Sequence, residues 1–228
     1  MTKDKKESTE NNVEAIENAL TKTEQYIENN QKSLTIIVLA IIVIVGIFLG
    51  YKRLYIAPME KEAQTQIFAA EQYFEKDSFN LALNGDGNYL GFIDIVESYS
   101  PTKTGNLARF YAGISYLNLG DFEQALTYLK KYDINDKMIG SVAYGAIGDC
   151  YVQLNDNSEG AKFYLKAANY GKNDFTTPVY LMKAGMVYES LGKHADALKA
   201  YDRIKQDFAK TTEAREVEKH IARVKMNM

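Results

Sequence analysis

Of the residue types that most often carry chemistry near neutral pH, the chain holds two histidines, His194 and His220, and one cysteine, Cys150. Nucleophilic catalysis needs such a base within hydrogen-bond reach of its nucleophile. Neither histidine has a nucleophile at a recognised spacing. His194 falls at a predicted turn and His220 on a charged helical face, so both read as solvated surface residues. Cys150 sits on an apolar first-helix pattern with nothing basic nearby to lower its pKa, and reads as buried and unreactive. A lone cysteine also excludes an intramolecular disulfide and a cysteine-rich metal site. The Asp86-Gly87 loop shares a fragment with calcium loops, but its ligand series is incomplete. No phosphate-cradling glycine loop follows a strand, and no strand is evident. The residues therefore assign no catalytic group, no cofactor, no metal and no small-molecule substrate.

Charge closes a further door. From Tyr51 onward there are 22 Lys and Arg against 23 Asp and Glu, and the residues before it carry 5 against 7. Neither balance makes a phosphate-binding surface, which argues against nucleic acid. What remains is recognition of proteins, and the elements that would support it are legible. Three Gly-x-x-Tyr groups recur: Gly113 with Tyr116, Gly148 with Tyr151, and Gly185 with Tyr188. Four residues past each tyrosine stands Gly120, Asn155 or Gly192, where a helix should stop in the left-handed conformation. Ala125, Gly160 and Ala197 follow, and then Leu129, Tyr164 and Tyr201. A small residue on one helix lets the next approach closely, and a large side chain returned from the second helix fills the space.

Internal repetition at this period marks a solenoid. The pattern resembles the tetratricopeptide repeat, most closely in Leu119-Gly120-Asp121-Phe122-Glu123-Gln124-Ala125-Leu126. The expected fold is all-α, a tetratricopeptide-repeat-like helical solenoid behind one transmembrane helix. Residues 101–210 hold the three repeats. A degenerate copy and an extra helix occupy 57–100, with Ala70-x-x-Tyr73, a turn at Lys76-Asp77-Ser78, and a helix from about Tyr89 to Ser98 that turns Ile93, Val96 and Tyr89 inward. Residues 211–228 form a capping helix begun by Thr212, with Ala214, Val217, Ile221 and Val224 on one face. Gly160 stands where the other copies have alanine, which should weaken its helix.

First helices usually line the binding face of such a solenoid. In this register that face carries Phe110, Ile114 and Asn118, then Asp149, Val152 and Gln153, then Met182, Met186 and Glu189. The mixture is apolar and polar, not basic. It lacks the lysine and asparagine set with which some tetratricopeptide domains clamp a C-terminal carboxylate. Flexible methionines suit adaptable apolar contacts.

The run Leu34 to Leu49 is uncharged and apolar. Extended as a helix over 34–56 it rises roughly 34 Å, enough for a hydrocarbon core of about 30 Å. Lys32, Lys52 and Arg53, with Tyr51 and Tyr55, flank it as interface residues. The 33 mostly polar residues ahead of it read as a tail, so the run is expected to stay as a signal anchor and not to be cleaved. In the tail, Val13, Ile16, Leu20 and Ile27 share one face of a possible amphipathic helix. Gly46 and Gly50 make a Gly-x-x-x-Gly that would let another membrane helix approach. Lys and Arg counts near the anchor lean towards a cytoplasmic repeat domain, since Lys52, Arg53 and Lys61 outnumber Lys22 and Lys32.

The order of parts, with Glu24-Gln25-Tyr26-Ile27-Glu28-Asn29-Asn30-Gln31-Lys32 before the anchor and Tyr51-Lys52-Arg53 after it, resembles the YfgM family of ancillary Sec translocon subunits. That resemblance implies a bacterial inner-membrane protein with a cytoplasmic N-terminus and a periplasmic repeat domain. Its implied partners are translocon subunits, chaperones and unfolded exported chains. Two other roles fit the same parts: a structural assembly factor of an envelope or secretion complex, and a cytoplasm-facing regulatory adaptor.

Overall fold

A computed structural model describes residue 21 and residues 24–228, which fall into two compact units divided between Ala57 and Pro58. The tail positions Val13, Ile16 and Leu20 lie outside the described residues. In the first unit, α1 spans Gln31–Tyr51 and passes into a π-helical turn over Lys52–Ile56. No residue of α1 is buried, and it is the part of the described residues apolar and long enough to cross a membrane. Tyr51 and Tyr55 stack at 5.4 Å, and the Lys52 ammonium lies 5.2 Å from the centre of the Phe48 ring.

The second unit holds α2 (Ala57–Glu75), α3 (Phe79–Asn84) and α4 (Phe92–Ser98). Three antiparallel pairs follow: α5 (Lys103–Leu119) with α6 (Phe122–Lys131), α7 (Lys137–Gln153) with α8 (Asn157–Tyr170), and α9 (Thr177–Ser190) with α10 (His194–Asp207). Helix α11 (Thr212–Met226) packs on both α10 and α9. Among the described residues there is no strand. The apolar interior is three linked clusters instead of one centre, as expected when each unit buries its face only against its neighbours.

Local chemistry explains where these helices begin and end. The side chains of Thr102, Asp121, Asp136 and Asp156 accept from the first free backbone N–H groups of α5, α6, α7 and α8. Pro178 sits in the first turn of α9, where its missing N–H costs nothing. Gly120, Asn155 and Gly192 all take positive φ, at 82°, 64° and 68°. At the first of these, the Gly120 N–H donates to the Leu117 carbonyl and the Asp121 N–H to the Tyr116 carbonyl. The same paired bonds close the turns at Asn155 and Gly192.

The degenerate copy uses the identical device. Asp77 has φ of 54°, with Asp77 N–H bonded to the Phe74 carbonyl and Ser78 N–H to the Tyr73 carbonyl. Beyond it the structure corrects the sequence reading. The helix expected from Tyr89 starts at Phe92, because Asp86 holds the loop open: its Oδ1 accepts from the Asn88 and Tyr89 N–H groups, and its Oδ2 from the Tyr73 hydroxyl. Phe92 and Ile95 are the buried side chains of α4; Ile93 and Val96 are half-buried and Tyr89 is exposed. The cap of α11 is Thr211, not Thr212, its hydroxyl accepting from the Ala214 N–H. Val217, Ile221 and Val224 are buried as expected, and so is His220, which the charge pattern had placed in water.

Candidate protein-binding face

The repeat-defining residues set the spacing of the face. A Cβ built on Gly113 would lie 2.5 Å from Leu129 Cγ, one on Gly148 2.7 Å from Tyr164 Cδ1, and one on Gly185 2.2 Å from Tyr201 Cε1. Each glycine thus makes room for the large side chain returned by the second helix. Ala125 and Ala197 are fully buried. Tyr116 stacks on Tyr128, and Tyr151 on Phe163, both at 5.4 Å. Tyr188 has Ala200 in the corresponding place and is half-buried without a stacking partner. Gly160 also has a physical reason: a Cβ there would meet Val152 Cγ2 at 2.5 Å and the Gly148 carbonyl oxygen at 3.2 Å.

The nine residues assigned to the face fall into three groups. Phe110, Ile114, Val152 and Met182 are half-buried and pack into the clusters beneath, with Phe110 against Tyr132 at 5.6 Å. Asn118, Gln153 and Met186 are exposed, Met186 at 50%. Asp149 and Glu189 are engaged within the fold. Asp149 Oδ1 accepts from the Tyr164 hydroxyl at 2.5 Å and from Lys183 Nζ at 2.7 Å, so one carboxylate on α7 ties down α8 and α9. Glu189 Oε1 accepts from the Tyr201 hydroxyl at 2.5 Å, and Arg223 grips both its oxygens at 2.7 and 2.9 Å. This second clamp ties α9 to α10 and α11.

Electrostatics follow from these clamps. Hydrogen bonds from Arg223 hold the Glu189 carboxyl below the ordinary glutamate range against the opposing effect of burial. Burial and the neighbouring carboxylates push the Tyr164 and Tyr201 hydroxyls well above the ordinary tyrosine value. Arg223 Nη2 also lies 2.7 Å from His220 Nδ1, and since guanidinium can only donate, that ring nitrogen is the acceptor. Cys150 is fully buried, and burial with Asp149 nearby pushes its thiol up to about 12, which leaves it inert as a nucleophile.

Lys183, Arg223, Tyr164 and Tyr201 escaped the sequence reading as partners of the face. A signal existed: Asp149 to Lys183 and Glu189 to Arg223 are each separated by 34 residues, one repeat length. On α9, Lys183, Met186 and Glu189 follow at successive intervals of three. Lys183 leans towards α7 and Glu189 towards α11, which leaves the Met186 thioether between two self-neutralised pairs. Among the described residues no cluster of three or more His, Cys, Asp or Glu is placed to hold a metal ion. In α1, Cβ atoms built on Gly46 and Gly50 would meet nothing within 4 Å.

Comparison with known proteins agrees with this architecture. One tetratricopeptide-repeat family model matches residues 107–132 and 180–211, and a second model of the same repeat matches 141–170. A search of curated proteins gives no match. The matched stretches cover most of the α5–α6, α7–α8 and α9–α10 pairs, so the chain carries an all-α, tetratricopeptide-repeat-like solenoid, a repeat that serves as a scaffold for protein–protein interaction.

Proposed function

We propose that this chain is a membrane-tethered scaffold that binds proteins on the first-helix face of its solenoid. In this reading it is an ancillary subunit of the Sec translocon in the bacterial inner membrane, its N-terminus cytoplasmic and its repeats periplasmic. There it links the translocon to chaperones and to exported chains not yet folded. The observation that carries the binding role is the α9 strip: an exposed, flexible thioether at Met186 between ion pairs already neutralised within the fold. Such a strip has no free charge to attract a carboxylate tail, and it suits apolar segments of varied shape. The 21 residues of α1, none buried, support the tether. The resemblance in the order of parts supports the translocon and the orientation.

Two measurements test this. Protease added to intact spheroplasts should digest the repeats; protection until lysis would sink the periplasmic translocon reading. A photo-crosslinker placed at Met186 should then capture translocon subunits, chaperones or exported chains, with a yield insensitive to salt. Recovery of one stoichiometric envelope component instead would make the protein an assembly factor.

A further inference from the structure

Away from the first-helix face, a cavity of about 460 Å³ opens between the start of α7, the first turn of α9 and the turn before α11. Its apolar lining is Val142, Val179 and Tyr180, and charged Asp174, Lys210 and Glu213 stand around it. Phe175 sits at the same opening and is 77% exposed, more than any other aromatic side chain among the described residues. Leaving a ring in water forgoes roughly 2 kcal/mol of burial. The backbone that carries it is nevertheless held. Asn173 Oδ1 accepts from the N–H groups of Phe175 and Thr176, both at 2.8 Å, Asn173 Nδ2 donates to Thr176 Oγ1 at 2.9 Å, and Asn173 N–H donates to Thr177 Oγ1 at 3.0 Å. The ring thus projects from a hydrogen-bonded loop, and the ordered backbone lowers the entropy lost on docking. Asp174, Lys210 and Glu213 make no ion pair within the described residues, unlike the cations of the first-helix face.

We infer that this patch is an interface between two copies of the chain. It carries both a projecting aromatic ring and a cavity with an apolar side made by Val142, Val179 and Tyr180, so a two-fold axis through it lets each Phe175 enter the partner's cavity. The same axis sets each Lys210 against the partner's carboxylates at Asp174 and Glu213, which pairs a cation the single chain leaves without an ion pair. A head-to-tail contact would use one ring and one cavity and leave the others open, a growing array instead of a closed pair.

The test uses the full-length chain in its membrane. Thr212→Cys, exposed on the cavity rim with the ring kept, should join two identical chains when treated with a short bismaleimide, and adding Phe175→Ala should lower the yield at least fivefold. Cys150 is buried and should not react, and Phe68→Cys, an exposed ring outside the patch, should give no dimer. Lys210→Glu should lower the yield about fivefold, and adding Glu213→Lys should restore it. Monomer alone from Thr212→Cys, an adduct with a different polypeptide, or a yield unmoved by Phe175→Ala would overturn the inference. So would a yield unmoved by either charge change.

Discussion

Gly148→Leu should cost the second unit about 3 kcal/mol of stability and lower its melting temperature by roughly 6 to 12 °C. The reason is the absence of anywhere for a side chain to go. The first carbon alone would lie 2.7 and 2.8 Å from the Tyr164 ring and 3.2 Å from the Gly160 carbonyl oxygen. Tyr164 cannot swing clear, since its ring is 4% exposed and its hydroxyl is tied to Asp149. The helices α7 and α8 must part, and their separation also strains the bond through Asp149 to Lys183. Thermal melting of the full chain in detergent, followed by circular dichroism, measures the shift. A melting temperature equal to that of the unaltered chain would mean that the helices are not packed in this register.

Removing the carboxylate at the other clamp should act more locally. Glu189→Ala leaves the fully buried Tyr201 without the partner of its hydroxyl and His220 beside an unpaired guanidinium. Arg223 is 53% exposed, so its share of the pair is discounted for screening, and the whole loss is about 2 kcal/mol. It falls on the docking of α11. Acid should produce the same effect in the unaltered chain. The folded Glu189 carboxyl titrates below its unfolded value, so its contribution is complete above an unfolded pKa of about 4.3 and is lost as pH falls through the folded one. Urea unfolding of both proteins at neutral pH and near pH 3 checks this. The gap between them should narrow on acidification; a constant gap would assign the clamp no electrostatic role.

The repeats were legible because each depends on a few residues with one physical reason apiece. Gly148 faces Tyr164 and Asn155 takes the left-handed turn, and both are readable from type and spacing alone. The Asp77 turn was legible too, although its residue is neither glycine nor asparagine. What sequence missed was set by groups far apart along the chain. Charge patterning on α11 cannot show that His220 lies against Tyr201 and Glu189, because those contacts depend on how α11 crosses α10 and α9. The start of α4 was misplaced for a related reason: Asp86 is satisfied by the loop and by Tyr73, thirteen residues earlier, and not by a helix. Of the candidate face, the exposed Met186, Asn118 and Gln153 follow from position. The internal commitment of Asp149 and Glu189 does not.

The two clamps also divide the molecule by how it opens. Asp149 and Glu189 each bind three helices, and with α9 in common they make α7 through α11 one cooperative block. The position equivalent to Tyr164 and Tyr201 in the first repeat is Leu129, which has no hydroxyl to offer a carboxylate. The α5–α6 pair is therefore held to the rest by packing and by weaker polar contacts such as Lys130 with Tyr151. A pull transmitted along the chain from its N-terminal side reaches the less tightly tied half first. Hydrogen exchange should show α5 and α6 opening at lower free energy than α7 to α11, so a load on this end would be absorbed there while the strip around Met186 keeps its shape.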